Sequence, residues 1–331
     1  MRILFFCGFL FLLSCTEQNT VVKEKKSDIS ILSEKILESP NDTTLLIQRR
    51  DYFLELNRLE AALIDIEYLY LLDSMNFNRT FDLASTYFTL AEEGKSEYYN
   101  KAFNVLNSSR VTEKSHFPSL LIRAKLYYIF KMYELSLTDL NNSLRINKYL
   151  AEAYFYKGLN FKEMGEESAA MSQFQTAIEQ DPDYLEGYEQ LAFMYASKGD
   201  PLAELYFDNA LSVDSSLVSV WYNKGKYYQD KGAWSNAIGC YRAMLRREPF
   251  NTSANYNIGF IHLVEGRYLD GANSFSDVIY SKPGFATAYF SRGLCFKNLK
   301  EYNKAEFDFK KTLSLDPDFF EAQEELSTLR N

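Results

Sequence analysis

The sequence predicts an all-α fold, a right-handed α-solenoid of about eight helix–turn–helix units with a capping helix at each end. Three observations carry that expectation. First, Pro249, Pro283 and Pro317 recur at intervals of 34 residues, and Pro182 lies 67 residues before Pro249. The segments around them are alike: IEQDPDY, LRREPFN, IYSKPGF and LSLDPDF. Repetition at a fixed period of this size marks stacked supersecondary units. Second, Gly and Pro number only 14 and 7 against 47% apolar residues, which disfavours an all-β chain built on tight turns. Third, small residues recur at two places in every period, as follows.

Laid on the 34-residue register, repeats fall at 43–76, 77–116, 117–150, 151–184, 185–217, 218–251, 252–285 and 286–319. The second carries six extra residues, assigned to the turn around Glu93–Glu97, and the fifth lacks one near Gly199–Pro201. Two helices approach closely only where one presents little bulk. Position 8 reads Arg50, Ala84, Ala124, Gly158, Ala192, Gly225, Gly259 and Gly293. Position 20 reads Ala62, Ala102, Ser136, Ala170, Ala203, Ala237, Gly271 and Ala305. Arg50 is the one departure. Large side chains at position 11 (Phe53, Tyr87, Tyr127, Phe161, Tyr195, Tyr228, His262, Phe296) and position 24 fill the space between helices. Apolar residues within each unit follow the helical period. Proline at position 32 ends the second helix in four repeats, because it can neither donate an N–H nor continue the helix. Residues 28–40 form an N-terminal capping helix ending at Pro40, and 320–331 a C-terminal one. Caps with a polar outer face keep such arrays soluble.

This pattern resembles the tetratricopeptide repeat over residues 43–319. In that family the first helix of each repeat lines a concave groove through positions 2, 5, 6, 9, 12 and 13. The resemblance implies partner-binding positions at Phe155, Leu159, Phe193, Tyr222, Asn223, Lys226, Tyr256, Asn257, Phe260 and Phe290. Aromatic and apolar side chains facing water in one place signal a partner, and Asn223 and Asn257 would serve an extended peptide backbone. The expected partner is therefore a protein or extended peptide. The carboxylate clamp of the family's co-chaperones is absent, since position 5 holds no lysine: it reads Ile47, Phe81, Leu121, Phe155, Glu189, Tyr222, Tyr256 and Phe290. The alternative is a glycan-binding lipoprotein of an outer-membrane uptake system. That reading is weaker, because its relatives build the sugar site from long insertions and the largest insertion here is six residues.

Residues 1–15 read MRILFFCGFLFLLSC, with Arg2 before an apolar run from Ile3 to Leu13. The run is too short to span a bilayer and has the proportions of a signal peptide. Leu12-Leu13-Ser14-Cys15 resembles the lipobox of bacterial lipoproteins, which implies removal of residues 1–14 and lipidation of Cys15. Residues 15–27 then form a lipidated tether, too polar to bury a core of their own. Two or more acyl chains anchor stably. The implied location is the bacterial cell envelope, on the periplasmic face of the outer membrane.

A net charge of −9 opposes nucleic acid as the main ligand, because phosphate binding needs displaced counterions and therefore cations. His116 and His262 are the only histidines, and His262 falls at a packing position. Cys240 and Cys295 match no metal spacing and lie two repeats apart, which disfavours a disulfide. Neither a phosphate loop nor a nucleophile–base set is present. The expectation is a binding protein with no catalytic residues, metal or cofactor.

Overall fold

The computed structural model describes residues 28–108 and 116–329. The signal segment, the tether and Cys15 lie outside the described residues. The described residues form helices and turns and no strand. The chain divides into two units, residues 1–173 and 174–331. The first contains α1 (28–38), α2 (Thr43–Glu55), α3 (Leu59–Leu72), α4 (Phe77–Glu92), α5 (Glu97–Ser108), α6 (Phe117–Ile129), α7 (Tyr133–Ile146) and α8 (Ala151–Glu163). Helix α9 (Glu167–Gln180) runs across the division. The second continues with α10 (Leu185–Ser197), α11 (Leu202–Val213), α12 (Val218–Asp230), α13 (Trp234–Leu245), α14 (Thr252–Val264), α15 (Tyr268–Ser281), α16 (Ala286–Asn298), α17 (Tyr302–Leu315) and α18 (Phe320–Thr328).

Consecutive helices pack as antiparallel pairs: α2 with α3, α4 with α5 and α6 with α7 in the first unit, then α10 with α11, α12 with α13, α14 with α15 and α16 with α17 in the second. Each pair is closed by the same device. The second residue after the first helix takes positive φ at Asn57, Gly94, Lys131, Gly165, Gly199, Gly232, Gly266 and Lys300. The next residue's N–H then returns to a carbonyl five residues back, for example Arg58 to Phe53 (2.8 Å), Ala233 to Tyr228 (2.9 Å) and Glu301 to Phe296 (2.8 Å). This left-handed closure satisfies carbonyls that the helix end leaves open. Glycine adopts it freely, whereas Lys131 and Lys300 hold it against a side-chain penalty.

The same bond corrects the expected place of the insertion in the second repeat. Lys95 N–H donates to Leu90, not to Tyr87. Three of the extra residues therefore lengthen α4, which has 16 residues where α2 has 13. Leu90-Ala91-Glu92 favour helix, so the helix runs on until Gly94 permits the turn.

Inside the pairs, the small residues have a measurable reason. A Cβ at Gly225 would lie 2.7 Å from Tyr241, at Gly259 2.9 Å from Phe275, and at Gly293 2.6 Å from Phe309. Each of those rings is fully buried, and each lies sixteen residues after its glycine. Where alanine stands instead, at Ala84 and Ala124, the facing core side chains are Leu106 and Leu140. A close-packed interior trades bulk on one helix for space on the other.

The ends are covered. On α1, Ile36 packs with Leu46 and Leu69. On α18, Ala322 is fully buried, and Phe319 just before the helix meets Phe290 at 4.9 Å between ring centres.

Candidate interaction surface

In each unit the first helices of successive pairs adjoin, α4 with α6 and α6 with α8, then α10 with α12 and α14 with α16. They present a shared face, and most of the expected binding positions fall on these helices.

The position-5 rings are largely spent on packing. Phe155 is buried at 9% exposure, so its ring belongs to the interior rather than to an open face. Tyr222 lies 6.3 Å from Tyr241, Tyr256 lies 5.5 Å from both Phe275 and Phe285, and Phe290 lies 5.8 Å from Phe309. The large position-24 rings reach far enough between the helices to draw these neighbours inward. Phe193 is half-buried against Phe207 at 6.2 Å. Leu159 is half-buried. Asn223 and Asn257 each donate Nδ2–H to the carbonyl of their own helix, Ser219 at 2.8 Å and Ser253 at 2.9 Å, which leaves the Oδ1 side for any external donor. Lys226 approaches Asp230 at 3.8 Å and stays partly open. Phe260 is exposed at 37%, and Val264, one turn on along α14, at 53%. On the second unit's first helices, Lys226, Phe260 and Val264 are therefore open to solvent in part.

In the first unit, groove positions of three successive repeats meet around a cation. Lys125 Nζ sits 5.3 Å from the Phe88 ring centre and 5.3 Å from that of Tyr156, and it pairs with Glu152. Tyr128 meets Tyr156 edge-on at 5.9 Å. Desolvated cation–ring contacts of this kind are attractive. Burial, then Glu152 and Glu92, push the Tyr156 hydroxyl well above its ordinary range, so it stays a neutral donor. Glu152 and Tyr156, at positions 2 and 6 of the fourth repeat, were not singled out from the sequence, although the groove pattern includes both places.

A second constellation is structural. Arg49 grips Asp65 with two bonds (2.9 and 2.6 Å), Arg123 grips Asp139 (2.6 and 2.8 Å), and Arg292 grips Asp308 (2.8 and 2.8 Å). Each aspartate lies sixteen residues after its arginine, and all three are nearly fully buried. Arg49 and Arg292 also reach sixteen residues back, to Ser33 and Ser276, each at 3.0 Å. One guanidinium thereby ties its own pair to the preceding helix, which two-pronged geometry suits. The hydrogen bond to aspartate holds both guanidinium groups above their ordinary range. In the fourth repeat Lys157 and Gln173 occupy these places, and Gln173 Oε1 lacks a hydrogen-bond partner among the described residues.

The remaining reactive groups are sequestered. Burial pushes the Cys240 thiol up to about 11 and the Cys295 thiol up to about 12. Both are buried and free. His262 is 5% exposed, and burial holds it below its ordinary value. His116 caps α6, accepting from the Ser119 N–H at 3.4 Å. Among the described residues no three His, Cys, Asp or Glu side chains are grouped to hold a metal, and no helix is long and apolar enough to cross a membrane.

Comparison with known proteins places this geometry in a class. Residues 152–184 and 286–319 each match the tetratricopeptide repeat. The C-terminal part of a TPR repeat-containing protein from Cytophaga hutchinsonii superimposes with a TM-score of 0.66 at 19% identity, covering 76% of this chain and 99% of that one. The fold is thus a tetratricopeptide α-solenoid. Among curated proteins, the chain is 29% identical over 121 residues to the Protein CTR9 homolog of Arabidopsis thaliana, which is 36% of this chain and 11% of that protein. It is 28% identical over 119 residues to RNA polymerase II-associated protein 3 of Xenopus tropicalis (36% and 18%). It is 24% identical over 243 residues to human Superkiller complex protein 3 (70% and 15%). The chain therefore spans less than a fifth of the length of these relatives.

Proposed function

We propose that this chain is a lipid-anchored, non-catalytic scaffold of the bacterial cell envelope that binds a protein or extended peptide on the faces of its first helices. The observation that carries the binding reading is the exposed apolar pair Phe260 and Val264 on α14, with Lys226 partly open on α12. These side chains are left wet on a surface built by repetition, and contiguous exposed apolar groups of this kind mark interaction sites. Among the described residues Cys240, Cys295 and His262 are buried, and His116 caps α6. The anchor reading is supported by Leu12-Leu13-Ser14-Cys15 and by the polar stretch that follows, and it places the chain on the periplasmic side of the outer membrane. Transfer of a binding role from a fold alone is analogy, so the test must be direct. Cross-linking the intact protein in its membranes and purifying it should recover one reproducible protein partner, lost on Phe260→Ser with Lys226→Ala while the variant stays folded. Recovery of oligosaccharide binding with no protein partner would overturn the reading. For the anchor, Cys15→Ala should release the chain from membranes, and unchanged membrane association would refute lipidation.

A further inference from the structure

One repeat departs from the rule that the clasps obey. Position 7 of the first helix, where the clasp arginines stand, carries a cation in five repeats and an aliphatic side chain in the other three, Leu83, Leu191 and Ile258. Four of the five cations pair with a carboxylate sixteen residues away. Arg49, Arg123 and Arg292 take the aspartate that follows, and Lys224 takes Asp208, which precedes it. The fifth cation is Lys157 on α8. The residues sixteen before and sixteen after it are Asn141 and Gln173, both amides. Gln173 Oε1 has no hydrogen-bond partner among the described residues, so it does not accept from the Lys157 ammonium. Lys157 Nζ lies 5.9 Å from the Tyr154 ring centre, and burial holds it below its ordinary range with no carboxylate beside it to offset the loss. A charge drawn out of water without its counter-charge is costly, whereas removing both partners together is not. The three aliphatic repeats carry neither charge, with Val105, Tyr206 and Ser274 at position 23. The fourth repeat keeps the cation alone.

We propose that the fourth repeat receives its missing carboxylate from a protein partner, an aspartate or glutamate side chain that docks on Lys157 between Asn141 and Gln173. This rests on the protein-binding reading above and adds one contact and its chemistry, at position 7, outside the groove positions 2, 5, 6, 9, 12 and 13. The place is open to an external group: Lys157 and Gln173 are half-buried and Asn141 is exposed. At the same place in the first and eighth repeats, grooves of about 370 and 320 Å³ open beside the Arg49–Asp65 and Arg292–Asp308 clasps. Lys157 offers the charge, and each amide offers an N–H to the incoming oxygens. A cation left partly desolvated before its partner arrives also discriminates, since an amide or an alkyl group in place of the carboxylate leaves it unpaired.

A water-soluble carbodiimide joins a lysine amine to a carboxylate only where the two touch. Applied to the intact protein in its membranes and read by mass spectrometry, it should join Lys157 to an aspartate or glutamate of a second protein. The Lys297–Glu325 ion pair within the chain reports that coupling has taken place. Gln173→Asp should supply the carboxylate from the chain itself: the link to the partner is lost, and the urea midpoint of unfolding rises. Coupling of Lys157 only to a carboxylate of its own chain overturns the inference. So does a partner link that survives Gln173→Asp, or a midpoint that does not rise. If Lys157 stays unlinked while a partner is still captured through other residues, the inference falls alone and the protein-binding reading stands. If no residue captures a partner, both fall.

Discussion

The two units fill the same gap between paired helices with different side chains. In the first, Ala84 and Ala124 face Leu106 and Leu140. In the second, Gly225, Gly259 and Gly293 lie under Tyr241, Phe275 and Phe309, and Ala192 packs with Phe207. The combined bulk is similar, so either solution packs. The consequences differ. The aromatic over glycine touches Tyr222, Tyr256 and Phe290, which stay partly buried. Over leucine, Leu121 is itself buried, and the first unit's face also carries ion pairs and the Lys125 enclosure.

The largest expected effect comes from breaking a buried charge pair. Arg292→Ala leaves the Asp308 carboxylate buried and alone, which should cost about 3 kcal/mol in denaturant unfolding. Adding Asp308→Leu should restore most of that loss, because the charge is removed with its partner. If Arg292→Ala is nearly neutral, the clasp contributes nothing and the comparison loses its electrostatic half.

Next comes Gly293→Ala, whose new Cβ would stand 2.6 Å from Phe309. Overpacking of this kind costs roughly 1–3 kcal/mol. Gly239→Ala is the internal control, since nothing lies within 4 Å of its Cβ position in α13. That change should stabilise by about 0.5–1 kcal/mol, the ordinary gain of replacing glycine in a helix. Equal effects at the two sites would show that the aromatic solution is not tight.

A smaller effect is pH-dependent. His262 is buried in its neutral form, so its value in the fold lies below that in the unfolded chain. The unfolded chain then binds more protons as the pH falls below about 6.5, and stability is lost in that direction. His116 is shifted the same way and adds to the slope. Thermal unfolding should therefore occur at lower temperature at pH 5 than at pH 7, and His262→Phe should flatten that dependence. An unchanged slope in His262→Phe would contradict the assignment. The smallest effect is expected at Lys300→Gly, which relieves a positive-φ residue (φ 61°) and should raise stability by at most about 1 kcal/mol.

The helical pairs were legible in the sequence because their cause is local. Proline period, small residues and aromatic spacing all repeat within one unit. The Arg–Asp clasps were also visible in principle, as arginine and aspartate sixteen residues apart at 49 and 65, 123 and 139, and 292 and 308. The pattern alone does not tell a buried, paired charge from a solvated one. The Lys125 enclosure could not be read from one repeat, because Phe88, Lys125 and Tyr156 come from three. The candidate site was legible as a set of helices and not as a set of side chains. Pattern alone does not tell whether a position-5 ring faces water or packs on a neighbour, and here Phe155 is buried while Phe260, at position 9, is exposed.

The central claim is that partners bind on first helices. A photoreactive phenylalanine analogue placed at Phe260 on α14, and separately at Phe307 on α17, tests it most directly. Both rings are exposed, at 37% and 64%, but only α14 is a first helix. Irradiation in intact cells should cross-link a discrete partner from position 260 and not from 307. A partner captured from 307 alone would place binding on the second helices and contradict the account.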